Sequence, residues 1–312
     1  MEKESYSIKG VAHSKIGIER FMKGVFITAA TFGIAAVFAI TIYMFINGTP
    51  AFAKIGIKDL LFGTIWEPTN NTNPQFGIFY VIITSIIGTF AAVLIGVPIG
   101  LFAAIFLAEV APKPLVKIVQ PAVELLAAIP SVIYGLLGLV ILNPLMYKWE
   151  KALFAGDEGH QFTGGANLLS AVIVLAIMIL PTVINVSQSS IQSVQKDLKA
   201  SSFALGASHI QTIFKVLLPA ANSGIISGVV LGIGRAMGEA MAITLVSGSS
   251  VNIPLPFNSV RFLTTAIVSE MGYASGLHRQ VLFSIGLVLF VFIMFINFLL
   301  SKVLKKEEIN HG

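Results

Sequence analysis

The sequence predicts an all-α, polytopic membrane protein with six spanning helices. Three observations lead there. Only 11% of the 312 residues are charged and 55% are hydrophobic, less than half the charge of an average globular chain, which is about 25%. The mean hydropathy is +0.87. The charges also leave long gaps: none falls between Lys23 and Lys54, Glu67 and Glu109, Glu124 and Lys148, His160 and Lys196, Lys215 and Arg235, or Arg279 and Lys302. Each gap holds the roughly 20 apolar residues that a spanning helix needs. The same composition excludes disorder, collagen and coiled coil. The absence of cysteine removes disulfide frameworks, thiolate metal sites and cysteine nucleophiles together.

In chain order the expected helices are 24–46, 77–107, 122–146, 167–187, 219–247 and 280–301. The second is longer than a bilayer requires, and Pro98 between Gly96 and Gly100 predicts a tilt or bend there. Pro130 and Pro181 interrupt the third and fourth. Residues 47–76, 147–166 and 248–279 are exterior connections, the last with a short surface helix over 262–271, and 188–215 is the long interior loop.

Orientation follows from the basic residues. With both termini inside, Lys3, Lys9, Lys15, Arg20, Lys23, Lys113, Lys117, Lys196, Lys199, Lys215, Lys302, Lys305 and Lys306 are cytoplasmic. Lys54, Lys58, Lys148, Lys151, Arg261 and Arg279 are exterior. This two-to-one split is the positive-inside pattern, which predicts both termini inside and an even span number. The net charge of +5 then reflects topology, with no nucleic-acid surface. The chain divides into a cytoplasmic segment 1–23, a membrane domain 24–301 and a cytoplasmic tail 302–312. Ala51-Phe52-Ala53 resembles a signal-peptidase site. The apolar run before it exceeds the roughly 7–15 residues of a signal core, so an uncleaved first helix is expected.

Several chemistries are missing. There is no G-x-x-x-x-G-K-[ST] loop to cradle a nucleotide, and Gly232, Gly234 and Gly238 do not form a G-x-G-x-x-G. No two of His13, His160, His209, His278 and His311 stand at metal-ligand spacing. No catalytic residue, cofactor or metal is therefore expected in this chain, and it reads as a non-enzyme.

Two segments carry the remaining information. Residues 195–218 read QKDLKASSFALGASHIQTIFKVLL. Phe203, Ile210, Ile213, Phe214 and Leu217 fall near helical spacing, and Gly206 predicts a break between two short helical pieces with one apolar side. Such a segment either packs on its own bundle or docks a partner. The fifth helix carries Gly224, Gly228 and Gly232 at every fourth position, a spacing that lets another helix approach closely. Gly238 joins these as a packing glycine. Arg235 and Glu239 lie four apart, and each stands seven residues beyond a glycine, so an ion pair is expected to continue the glycine face. Charge at the centre of a span costs about 2.5–3.5 kcal/mol. The pair is therefore either a substrate pathway, with the Arg235 fork matched to an oxyanion, or a structural lock between helices. Glu124 reads either as a first-turn carboxylate facing the helix dipole or as a gating group. Ser131 and Tyr134 read as pathway or interhelical residues, and Trp66 and Trp149 as interfacial anchors.

Ala200-Ser201-Ser202, three residues, Gly206, nine residues and Val216-Leu217-Leu218-Pro219 resemble the E-A-A, G, I-x-L-P signature of ABC importer permeases, with Ala200, Ser202 and Val216 departing from it. Residues 231–242, LGIGRAMGEAMA, and 124–135, ELLAAIPSVIYG, resemble the PstC-type permeases of bacterial phosphate importers. Glu270-Met271-Gly272 and the closing helix also fit. The resemblance implies a type I ABC importer permease fold and a coupling helix within 195–216. On it Ala200, Ser201, Ser202, Phe203, Gly206, Ile210 and Phe214 would meet an ATPase. It implies a PstA-type permease, a PstB-type ATPase dimer using ATP and magnesium, a PstS-type phosphate-binding protein and inorganic phosphate as partners. The residues alone indicate an anion, so molybdate or sulfate is the alternative substrate and an ATP-independent carrier the alternative class.

Overall fold

The structure, a computed structural model, describes residues 13–70 and 72–311, with side chains over 18–70, 72–299 and at Lys302. The expected topogenic residues Lys3 and Lys9 lie outside the described residues, as do the side chains of Lys15, Lys305 and Lys306.

Helix α1 (His13–Ile55) is followed by α2 (Ile57–Phe62) and a two-stranded hairpin. Strands β1 (Trp66–Glu67) and β2 (Gln75–Phe76) pair antiparallel, Trp66 opposite Phe76. Helix α3 (Phe79–Ile105) ends in a π-turn, Phe106–Val110, then come α4 (Lys113–Ala128), α5 (Ser131–Leu137), a π-turn at Gly138–Leu142 and α6 (Asn143–Leu153). Next are α7 (Leu168–Ser193), α8 (Lys196–Ala204), α9 (His209–Thr212), a π-turn at Ile213–Leu217 and α10 (Leu218–Ala220). The chain closes with α11 (Asn222–Gly238), α12 (Met241–Val246), α13 (Leu263–Glu270) and α14 (Gly276–His311).

Five helices are long and apolar enough to cross a membrane unbroken: Ile18–Ile55, Phe79–Val110, Ser131–Leu153, Leu168–Ser193 and Gly276–Leu299. A sixth span forms if His209–Ala220 and Asn222–Gly238, bent by 70°, are taken together. Span number therefore agrees with the sequence, but two spans sit elsewhere.

The third span is Ser131–Leu153 and not 122–146. Pro130 disfavours the helical conformation at Ile129, whose ψ is 127°, and α4 is left as a separate amphipathic helix. Glu124 therefore lies well inside α4 with Pro121 before it, so its expected first-turn role at a helix dipole is overturned. The fifth span is not the continuous helix 219–247 either. It bends at Ala221 and stops at Gly238, where Glu239 turns extended (ψ 132°). The short helix expected on the surface at 262–271 exists as α13, but Leu263, Thr264, Thr265, Ala266 and Glu270 are buried, because α13 packs against α14 and α3.

Helix α7 is the centre of the bundle. It packs on α3 and α11, and Leu168, Leu175 and Ile179 meet Ala236, Ile243, Val246 and Tyr134 in the largest core cluster. Asn167 caps α7 by accepting from the Ser170 N–H at 3.0 Å, satisfying a donor that the first turn leaves free. Helix α1 packs mainly on α14 and leaves the rest of its apolar surface exposed, as a lipid-facing helix does. One end of the bundle carries α2, the hairpin and the 247–275 connection, and the opposite end carries α8 and α9.

Candidate functional site

The glycines of α11 act as the spacing predicts at three positions. A Cβ at Gly224 would meet Ser190 Oγ at 2.0 Å, one at Gly228 would meet Val186 at 3.1 Å, and one at Gly232 would meet Val183 at 3.1 Å. All three partners are on α7, one turn apart, so the two backbones approach as only small residues allow. Gly238 does not belong to this seam, since a Cβ there meets nothing within 4 Å. Six residues beyond Gly232, at about 100° each, carry it to another side of the helix.

Arg235 and Glu239 do not form the expected ion pair. The helix ends between them, and among the described residues no salt bridge joins the two. Arg235 follows the glycine face onto α7, where Nη1 donates to Thr182 Oγ1 at 3.4 Å. Glu239 is held at the break. Its Oε1 accepts the Ala242 N–H at 2.9 Å, and its carbonyl accepts from Thr264 Oγ1 at 2.7 Å. These bonds satisfy backbone groups that a terminating helix exposes, and the carboxylate lies at the N-terminus of α12 where the helix dipole favours it. Both side chains are half-buried.

Two more polar groups continue along α7 and α4 from Thr182. Asn185 lies one turn along α7 from Thr182, and Gln120 Nε2 reaches its Oδ1 at 3.4 Å. The same amide nitrogen donates to Glu124 Oε1 at 3.2 Å. Tyr134 closes the break at Pro130 by donating to the Leu126 carbonyl at 2.7 Å, so it is an interhelical residue, while Ser131 begins α5.

The 195–216 segment folds as two helical pieces, with Gly206 at φ +83° between them, a left-handed turn that glycine takes without strain. Ser208 starts the second piece with a capping box to Gln211. Ala200, Ser201, Phe203, Gly206, Ile210 and Phe214 are exposed, as is Leu205 at 89%. Ser202 is not on this surface: it is buried and shares a 2.9 Å hydrogen bond with Thr212 Oγ1. Ile213 and Leu217 also turn inward, joining Ile105, Ile191 and Ile225. The result is an apolar patch whose inner side is fixed to the bundle, and large exposed apolar patches mark contact sites. Lys199 of α8 is also ion-paired with Glu109 at the end of α3, and His209 Nε2 lies 3.8 Å from the same carboxylate.

Sequence reasoning missed the buried polar clusters at the other end. Glu270 is ion-paired with Arg261, lies 2.7 Å from His278 Nε2 and accepts from Trp66 Nε1 at 3.0 Å. Trp66 is therefore a structural donor and not a lipid-facing anchor. Beside this cluster a cleft of about 430 Å³ is lined by Trp66, Glu67, Asn70, Arg261 and Tyr273. Partial burial and the Glu270 charge push the Tyr273 phenol above its ordinary value of 10.0. Glu150, fully buried, accepts from Thr163 through both N–H and hydroxyl and lies 3.0 Å from His160 Nε2. Trp66 is remote in sequence from Glu270, and the nearer partners, 8 to 13 residues from Glu270 or Glu150, are brought in by turns between elements, at spacings that no helical periodicity marks. Among the described residues, no group of three His, Asp or Glu is arranged to hold a metal ion.

Residues 96–307 match the family described as binding-protein-dependent transport system inner membrane components. The chain is 39% identical over 278 residues to a probable ABC transporter permease protein, YqgH, of Bacillus subtilis, covering 86% of each chain. It is 37% identical over 263 residues to the phosphate transport system permease protein PstC of Pasteurella multocida, covering 79% of this chain and 82% of that one. In fold it resembles a chain of a bacterial alginate ABC transporter crystallised with an alginate-bound periplasmic protein. The TM-score is 0.61 and the identity 17%, over 92% of this chain and 98% of the other.

Proposed function

The chain belongs to the family of binding-protein-dependent transport system inner membrane components, and from that premise we propose that it is the permease subunit of an ATP-driven phosphate importer. The family and the type I importer fold make it a multi-pass transport subunit. Phosphate is the substrate that its relative in Pasteurella multocida is named for. The observation that carries the substrate reading is Arg235: a half-buried guanidinium on a spanning helix, with a hydroxyl partner and no carboxylate paired to it among the described residues. Such a group suits a divalent oxyanion.

In this reading a second, PstA-type permease completes the pathway, and a PstS-type binding protein delivers phosphate to the end that carries the hairpin and α13. A PstB-type ATPase dimer, with its own ATP and magnesium, docks on the apolar patch around Phe203, Leu205, Ile210 and Phe214. Both termini are cytoplasmic and the membrane is the bacterial inner membrane, because the basic residues concentrate at the α8–α9 end. Glu239, held at the helix break, ties α12 to α13 through Thr264.

The test is the reconstituted complex with its binding protein. Phosphate stimulates ATP hydrolysis and uptake, sulfate and molybdate do not, and Arg235→Gln lowers uptake by at least tenfold while the complex still assembles. Stimulation by sulfate or molybdate in place of phosphate refutes the substrate. Normal uptake in Arg235→Gln refutes the pathway role.

A further inference from the structure

We propose that Glu124 is a specificity-determining residue: its carboxylate accepts the proton of a hydrogen-bearing oxyanion held at Arg235, so the permease itself selects hydrogen phosphate over fully deprotonated sulfate or molybdate. The inference rests on the phosphate-importer reading and names the group that would read the substrate.

The geometry is a continuous run of polar side chains on otherwise apolar helices. Arg235 Nη1 meets Thr182, and Asn185 follows three residues later, one turn along the same face of α7. Gln120 of α4 bridges Asn185 and Glu124 through one amide nitrogen. Helix α4 starts, and α7 ends, at the α8–α9 end, where Glu109 is paired with Lys199, so the two run in opposite directions away from it. From the Gln120–Asn185 bond, one turn away from the α8–α9 end leads to Glu124 on α4 and to Thr182 on α7. Carboxylate and guanidinium are therefore the two charged ends of one run of polar side chains, and no salt bridge joins them among the described residues. The bridging Gln120 also keeps a buried Oε1 with no hydrogen-bond partner among the described residues.

Lys113, Lys117, Gln120 and Glu124 fall on one stripe of α4, spaced four, three and four apart, whereas Val116, Val119 and Val123 pack into the bundle with Leu107 and Ile184. A carboxylate on that stripe is exposed in the isolated chain. At membrane depth it is tolerable only where water or a polar ligand reaches it.

The chemistry separates the candidate ions. An ionised carboxylate can only accept hydrogen bonds. Hydrogen phosphate and hydrogen arsenate carry an O–H near neutral pH; sulfate and molybdate carry none. An acceptor facing a deprotonated oxygen is left unpaired beside like charge, and sites that demand a substrate hydroxyl reject analogues lacking it by factors on the order of 10⁴. Arg235 alone attracts all four ions, so discrimination must come from an acceptor.

The experiment uses the purified complex of this chain with its partner permease and ATPase, without the binding protein, so that only permease selectivity is read. Radiolabelled phosphate binding is measured against arsenate, sulfate and molybdate for wild type, Glu124→Gln and Glu124→Asp. Arsenate competes with phosphate in the wild type and sulfate does not. Glu124→Gln weakens phosphate binding about tenfold or more and lets sulfate compete within about tenfold of phosphate. Glu124→Asp, which keeps the acceptor, retains the rejection of sulfate. Unchanged selectivity in Glu124→Gln overturns the proposal, as does an absence of oxyanion binding to the wild type. A variant that fails to co-purify with its partners assigns Glu124 to structure and overturns it too. Phosphate uptake by the full complex with its binding protein is scored separately, and only its loss in the wild type would remove the underlying function.

Discussion

Removing the Glu270 carboxylate isolates the most heavily engaged charge in the described structure. Glu270 has a side-chain exposure of 5%, and its partner Arg261 one of 13%. Glu270→Ala leaves the Arg261 charge buried without its counter-ion, and Arg261 Nε is already without a hydrogen-bond partner among the described residues. Breaking a buried pair from one side costs about 3–5 kcal/mol. Trp66 Nε1 and His278 Nε2 lose acceptors at 3.0 and 2.7 Å in the same step, but members of one network do not add independently. About 3–5 kcal/mol is therefore the expected total, a shift of roughly a hundred- to several thousand-fold in the equilibrium that opens this end of the molecule. The chain contains no cysteine, which makes a clean reporter available. Ala266 is 1% exposed on α13, and Ala266→Cys should resist a membrane-impermeant maleimide. Adding Glu270→Ala should raise its labelling rate by at least a hundredfold. The double replacement Arg261→Met with Glu270→Leu should recover most of the protection, because it removes both buried charges. Less than a tenfold change in the single variant, or no recovery in the double, would show that the cluster does not hold α13.

Packing and docking give two further tests. Gly228→Leu drives a side chain into Val186, which a Cβ alone already meets at 3.1 Å. It should destabilise the complex in detergent by about 1–3 kcal/mol or more, whereas Gly238→Ala, with open space around it, should not, and equal effects would refute the seam. Single cysteines at Phe203, Ile210 or Phe214 should crosslink to the ATPase while buried Ser202→Cys and Ile213→Cys should not, and the reverse pattern would reject the docking face.

How far the sequence could be read depended on whether the controlling interaction was local. Spans one, two, four and six were visible because each is a long apolar run, and α7 passes through Pro181 without the interruption expected there. The Gly206 turn was visible because only one residue type takes φ +83° cheaply there. The third span was displaced because its apolar stretch continues across Pro130, and hydropathy does not register the backbone restriction that proline puts on Ile129. The fifth was misjudged for another reason. The helical spacing of Arg235 and Glu239 is real in sequence, but Thr264, far along the chain, takes the Glu239 carbonyl, and the Glu239 carboxylate takes a backbone N–H. No periodicity in 219–247 encodes that. The same limit applies to Glu270, whose partners Trp66, Arg261 and His278 come from three separate segments.

The charges that topology does not explain now divide into two groups. Glu109 and Glu270 are ion-paired with Lys199 and Arg261, and Glu150 lies 3.0 Å from His160 Nε2; all sit at the ends of the bundle where they tie connections to spans. Arg235, Glu124 and Glu239 have no opposite charge against them among the described residues, yet they lie on or beside spanning helices, where uncompensated charge is most costly. The chain breaks the helix between Arg235 and Glu239 and gives each a neutral partner within the chain. That arrangement keeps a guanidinium available at the α7–α11 seam and keeps a carboxylate from neutralising it.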